Sequence, residues 1–278
     1  MIHLAAKPLA LMLAATALIA ADESVSDNPS FVAGYADLAD VALPAPVALH
    51  ARIRSAAALR GEQAAGVPAG ITRYYVEADV LAVIRGAQGF STRVTYLTDR
   101  PEGRSNAPRR RDERLLLGRA ISGRPGELQL ASPRADLPYD AATADRLRSL
   151  IREATAPGAA PPIVGIGRAF HVPGTLPGES ETQIFLLAEG GRPVSLSILR
   201  RPGQEPEWAV ALGDIVDEAA AMPRPGTLLW YRLACTLPRD LPQASLSEAE
   251  PAHVDAIRAD YRVVLDSLGP CDRGSKGA

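Results

Sequence analysis

The chain has 278 residues, 30 Lys plus Arg against 32 Asp plus Glu, a formal net charge of -2, 47% apolar residues and 5% aromatics. The apolar fraction excludes a collagen-like or wholly disordered chain, and the slightly negative balance argues against a basic nucleic-acid binder. The length suits one or two domains.

The chain opens with a short basic start ending at Lys7, then an uncharged run from Pro8 to Ala21, then Asp22-Glu23. That order is the pattern of a secretory signal peptide over residues 1–21, with a cleavage site after Ala21. The run is shorter than the ~20 residues that span a bilayer, and no later run approaches that length. The expected location is therefore periplasmic or secreted. Residues 22–46 are mixed and Pro-containing, and read as an extended lead-in.

A β-rich region is expected over 47–155. Residues 47–55 alternate, with Val47, Leu49, Ala51 and Ile53 against His50, Arg52 and Arg54. Period two is the mark of a half-buried strand. A Gly-rich loop over 61–70 leads to a second strand over 74–84. Its alternating first half and wholly apolar second half call for a bend or bulge near Leu81. Residues 91–98 read as a third strand rich in β-formers. A charged loop over 99–112 leads to a fourth at 114–121 and a short fifth at 127–131. Five short strands with Gly-rich turns suggest a small antiparallel barrel or sandwich. The segments beginning at Leu49, Tyr75 and Thr92 resemble the opening strands of OB-like, netrin-module-like domains. The whole chain resembles exported proteobacterial proteins of unassigned activity, and neither resemblance implies a site.

Asp140 is placed to cap a helix over 141–154, which the Pro/Gly stretch 156–162 ends. A mixed α/β part is expected over 163–271. That part begins with 163–171 and a Pro/Gly loop over 173–178, and 182–188 and 193–199 read as a hairpin turning through Gly190-Gly191. Residues 208–212 read as a further strand. The run 227–235 fits a strand or a short helix equally. A final amphipathic helix carries Val254, Ile257, Tyr261, Val264, Leu265 and Leu268, with Ser247 and Glu250 as a capping box and Gly269-Pro270 as the stop. Residues 272–278 read as a mobile tail. The fold class is thus α+β and β-rich: an N-terminal OB-like barrel or sandwich, then a mixed α/β part closed by an amphipathic helix.

The only two cysteines, Cys235 and Cys271, fit a disulfide in an exported chain. His50, His171 and His253 are far apart in sequence, unlike a clustered metal site. Gly165 and Gly167 lack the third Gly of a dinucleotide fingerprint, and Lys7 and Lys276 are the only lysines, so no phosphate-binding loop is present. No cofactor is expected. From Arg85 to Arg124 there are ten Arg and four acids; from Glu205 to Asp260, ten acids and four Arg. The most basic spot, Arg109-Arg110-Arg111, could meet an acidic envelope polymer or an envelope protein. These features point to an exported, non-enzymatic binding or structural module that takes no nucleic acid. The alternative is a secreted hydrolase with a site around His171, Ser180 and Asp214, the minimal residue set of a Ser-His-Asp triad.

Overall fold

A computed structural model describes residues 34–87, 90–103, 105–213 and 222–273. The first 21 residues and Asp214 lie outside the described residues. Residues 34–46 are not extended, as the sequence suggested. Tyr35–Ala42 form a helix, α1, in which every residue but Asp40 is buried. Gly34 offers α1 no side-chain cap. The Tyr35 and Ala36 backbone N–H groups instead donate to the Asp272 carboxylate at 3.0 and 2.9 Å. The cap comes from the other end of the chain, so no local signal announces this helix.

Five strands follow and close on themselves: β1 (Val47–Ala58), β2 (Ile71–Arg85), β3 (Arg93–Pro101), β4 (Glu113–Ala120) and β5 (Glu127–Leu130). Their order is β1-β2-β3-β5-β4, and β4 pairs back onto β1. All pairs are antiparallel except β3–β5. This is the partly open five-stranded barrel of OB-like folds. A short strand β6 (Asp136–Pro138) pairs with β4 on the edge that β5 uses, further along the strand. Opposite β1, the register skips Leu81 and Ile84 of β2, so the bend expected near Leu81 is a pair of bulges. Bulges sharpen the twist a small barrel needs. Leu49, Ile53, Val76, Val94, Tyr96, Leu116 and Leu128 fill the interior. Leu115 and Leu117 point the other way, into the core shared with the second half.

Gly118 on β4 faces the neighbouring strand with no room to spare. A Cβ there would lie 2.2 Å from the Gln129 carbonyl oxygen. That obstacle is backbone, so Gly118→Ala should cost about 1–3 kcal/mol by overpacking. Urea unfolding checks this; an unchanged midpoint would mean that β4 and β5 part freely.

Helix α2 (Ala141–Thr155) begins at Asp140, whose carboxylate accepts from Thr143 N–H at 2.8 Å. A second sheet follows as a meander, in order β10-β9-β8-β7: β7 (Ile163–Pro173), β8 (Ser180–Ala188), β9 (Val194–Arg200) and β10 (Glu207–Ala211). The ambiguous run 227–235 forms helix α3 (Leu228–Ala234), because Thr227 caps it by accepting from Trp230 N–H. Helix α4 (Val254–Leu268) ends at Gly269, whose φ of 69° suits glycine. The capping box is corrected. Ser247 Oγ donates to the Ala244 carbonyl instead, and a 3-10 turn at Pro251–His253 separates Glu250 from α4. Proline suits the first position of a helical turn and starts one there. One apolar cluster joins Leu38 of α1, Leu147 of α2, Leu196 of β9, Leu233 of α3 and Ile257 of α4. Cys235 and Cys271 are paired, with their Cα atoms 5.0 Å apart.

Candidate functional site

The barrel has one seam. Strands β3 and β5 pair only at Thr95–Glu127 and Tyr96–Leu128. Beyond these positions they separate and leave a cleft of about 750 Å³. Strand β2 supplies Arg73 and Tyr75, and β3 supplies Leu97 and Asp99. The β4–β5 turn and β5 bring Arg124 and Gln129. Tyr75 and Leu97 sit opposite each other in the ladder and are 41% and 47% exposed. Two large apolar side chains in water at the mouth of a concavity are the kind of surface ligands cover.

The charges of the cleft are already paired. Arg73 Nε and Nη2 each donate to the Asp99 carboxylate at 2.7 Å, a two-point contact across β2 and β3. These bonds hold the Asp99 carboxyl below the usual carboxylate range, against a smaller opposing effect of burial. Arg124 Nη1 donates to Glu127 at 3.2 Å. Among the described residues that line it, the cleft therefore carries both signs in pairs and no surplus positive charge.

Arg109, Arg110 and Arg111 lie on the β3–β4 loop, exposed and away from the cleft lining. The loop is tied down because Arg111 N–H donates to the Ile53 carbonyl and Ile53 N–H to the Asp112 carbonyl. Arg111 has a φ of 77°, unusual for a residue with a side chain. The neighbouring acids are partly used elsewhere. Glu113 accepts from Arg52 and lies 2.8 Å from His50 Nε2, and Asp112 accepts from the Arg109 backbone.

His171 stands on β7 opposite Thr182 of β8, and Ser180 is paired with Pro173 further along. Its Nδ1 is 2.7 Å from Thr182 Oγ1. The Thr182 hydroxyl donates to Asp260 Oδ2 of α4, and Arg200 Nε donates to Asp260 Oδ1 at 2.6 Å. A hydroxyl has one proton to give, so His171 carries its hydrogen on Nδ1 and donates it to Thr182. The His253 ring lies 5.1 Å from that of His171. Thr182 and Asp260 are fully buried. No substrate reaches that hydroxyl, and the group acts as a clamp between the second sheet and α4. Sequence reasoning found His171 but missed Thr182 and Asp260. Asp260 occupies a buried-face position of α4, beside Tyr261, and a lone acid there was the available signal.

Burial pushes the His171 pKa below its ordinary 6.5; Asp260 pulls it up, while His253 and Arg200 push it down. A histidine that binds its proton more weakly when folded loses stability as pH falls below the unfolded value. Unfolding at about pH 8 and at about pH 5.5 should show the folded state weaker in acid. His171→Gln should shrink that difference. An undiminished difference would assign the acid sensitivity to other groups.

No family model, curated protein or solved structure matches the chain.

Proposed function

We propose that this is an exported, non-enzymatic binding module whose ligand site is the cleft between β3 and β5. The observation that carries the reading is the concavity at the barrel seam, lined by exposed Tyr75 and Leu97 and by the paired Arg73 and Asp99. OB-like barrels use the face of β2 and β3 and the β4–β5 turn for ligands, which are the elements that meet here. Export rests on the leader-like first 21 residues and on a cysteine pair suited to an oxidising compartment. Among the described residues no helix is long and apolar enough to cross a membrane.

Two measurements test this. Mass spectrometry of the chain recovered from an exporting host should give a first residue of Asp22; an intact Met1 contradicts export. Immobilised wild type should retain envelope components that the Tyr75→Ala/Leu97→Asp variant retains at least tenfold less. Equal retention by the two would remove the cleft from the account. The basic loop gives a second reading, because Arg109, Arg110 and Arg111 have no ion pair among the described residues. Retention lost in an Arg109/Arg110/Arg111→Ala variant, and restored by lowering salt in the wild type, would move the partner site to that loop.

A further inference from the structure

The cleft offers backbone as well as side chains. Thr95 N–H donates to the Gly126 carbonyl, so the backbone groups of Thr95 face β5. Strand β3 pairs with β2 in unbroken register from Arg93 to Pro101. Alternation along it therefore turns the backbone of Leu97 and Asp99 to the same side as that of Thr95. The Leu97 N–H is consumed where the ladder reaches Leu128. The ladder then stops, which leaves the Leu97 carbonyl and both backbone groups of Asp99 facing the cleft. Across it, Leu130 follows Leu128 by two residues, so its backbone also faces the opening. Pro101 has no N–H and ends the row.

We propose that the cleft captures an extended, uncharged peptide segment that adds to the edge of β3 at Leu97 and Asp99; this deepens, and rests on, the reading of the cleft as the binding site. An antiparallel peptide residue opposite Asp99 exchanges two hydrogen bonds with it, and the residue two further on donates to the Leu97 carbonyl. Three such bonds need roughly 10 Å of strand. Charge complementarity selects the class. Arg73 and Arg124 are committed to Asp99 and Glu127, so a phosphate backbone finds no free cation among the described lining residues. A charged peptide would have to compete with the same pairs. The peptide's outward side chains lie beside Tyr75 and Leu97 and are apolar. Its inward ones approach Thr98, whose buried hydroxyl has no hydrogen-bond partner among the described residues.

The test titrates the isotopically labelled full chain with acetyl-Thr-Val-Thr-Val-Thr-amide. Parallel arms use the same peptide N-methylated at its second and fourth residues, whose N–H groups would face β3, and cellopentaose as an uncharged linear glycan. The parent peptide should shift the amide signals of Asp99 and Leu130 and slow hydrogen exchange at Asp99 at least tenfold. The methylated peptide should bind at least tenfold more weakly. Asp99→Pro, which removes that N–H, should lose at least tenfold. If Asp99→Pro fails to fold, the methylated peptide decides alone. Equal binding of both peptides, or no shift up to millimolar parent peptide, overturns the proposal. Cleft shifts with the glycan alone overturn the peptide class and leave the site standing. Shifts confined to the second sheet overturn both.

Discussion

Asp136→Ala should lower the melting midpoint by about 6–20 °C, the equivalent of about 3–5 kcal/mol for breaking a buried ion pair in a chain of this size. The Asp136 side chain is wholly buried between two arginines. Arg114 Nε donates to Oδ1 at 2.6 Å, and Arg114 Nη2 donates to the Asp136 backbone carbonyl at 2.7 Å. Arg100 Nη2 donates to Oδ2. Arg114 is itself only 12% exposed, so removing the carboxylate strands a cation in the protein interior. The contact also joins three strands, since Arg100 lies on β3, Arg114 on β4 and Asp136 on β6. Glu113→Gln is the control. Its partner Arg52 is 48% exposed, and an ion pair screened by water in that way contributes little to stability. Thermal unfolding followed by circular dichroism compares the two. Equal losses would mean that the Asp136 cluster does not hold the barrel.

Removal of the disulfide should have the second largest effect, and its consequences should reach the opposite end of the chain. Cys235 and Cys271 are 36 residues apart, and a loop of that length corresponds to about 3–4 kcal/mol in the chain-entropy account. Asp272 and Arg273 follow the second cysteine immediately. Asp272 caps α1, and Arg273 donates to Asp40 at 2.7 and 2.9 Å, where Tyr231 Oη also donates at 2.7 Å. Gly34 closes this junction, since a Cβ there would lie 2.2 Å from the Asp272 carbonyl oxygen. With both cysteines replaced by Ser, the helix cap hangs on an untethered chain end. Hydrogen exchange at the amides of Tyr35 and Ala36 should then accelerate more than at α2, whose cap is local. A loss of stability with no change at α1 would separate the disulfide from the clamp.

How much was legible follows the range of each interaction. Residues 47–55 announced β1 because period two is written into adjacent residues, and Asp140 announced α2 because its partner Thr143 is three residues away. The bulge at Leu81 was legible as a break in alternation. Helix α1 was not, because its cap, Asp272, lies 237 residues from Tyr35. The 3-10 turn at Pro251–His253 defeated the capping box because Ser247 and Glu250 have the right spacing in the wrong backbone. The clamp at His171 needs Asp260, brought in by the packing of α4 on the second sheet. The cleft was least legible. It exists because β3 and β5 pair briefly and then diverge, and nothing in the residues of either strand marks where a ladder stops.

Site-specific photocrosslinking in an exporting host tests the central claim most directly. Leu97, in the cleft, or Leu187, 53% exposed on the second sheet, is replaced by a benzophenone-bearing residue. A covalent adduct that forms from position 97 and not from position 187 is the expected result. An adduct from position 187 with none from position 97 would contradict the cleft as the binding site.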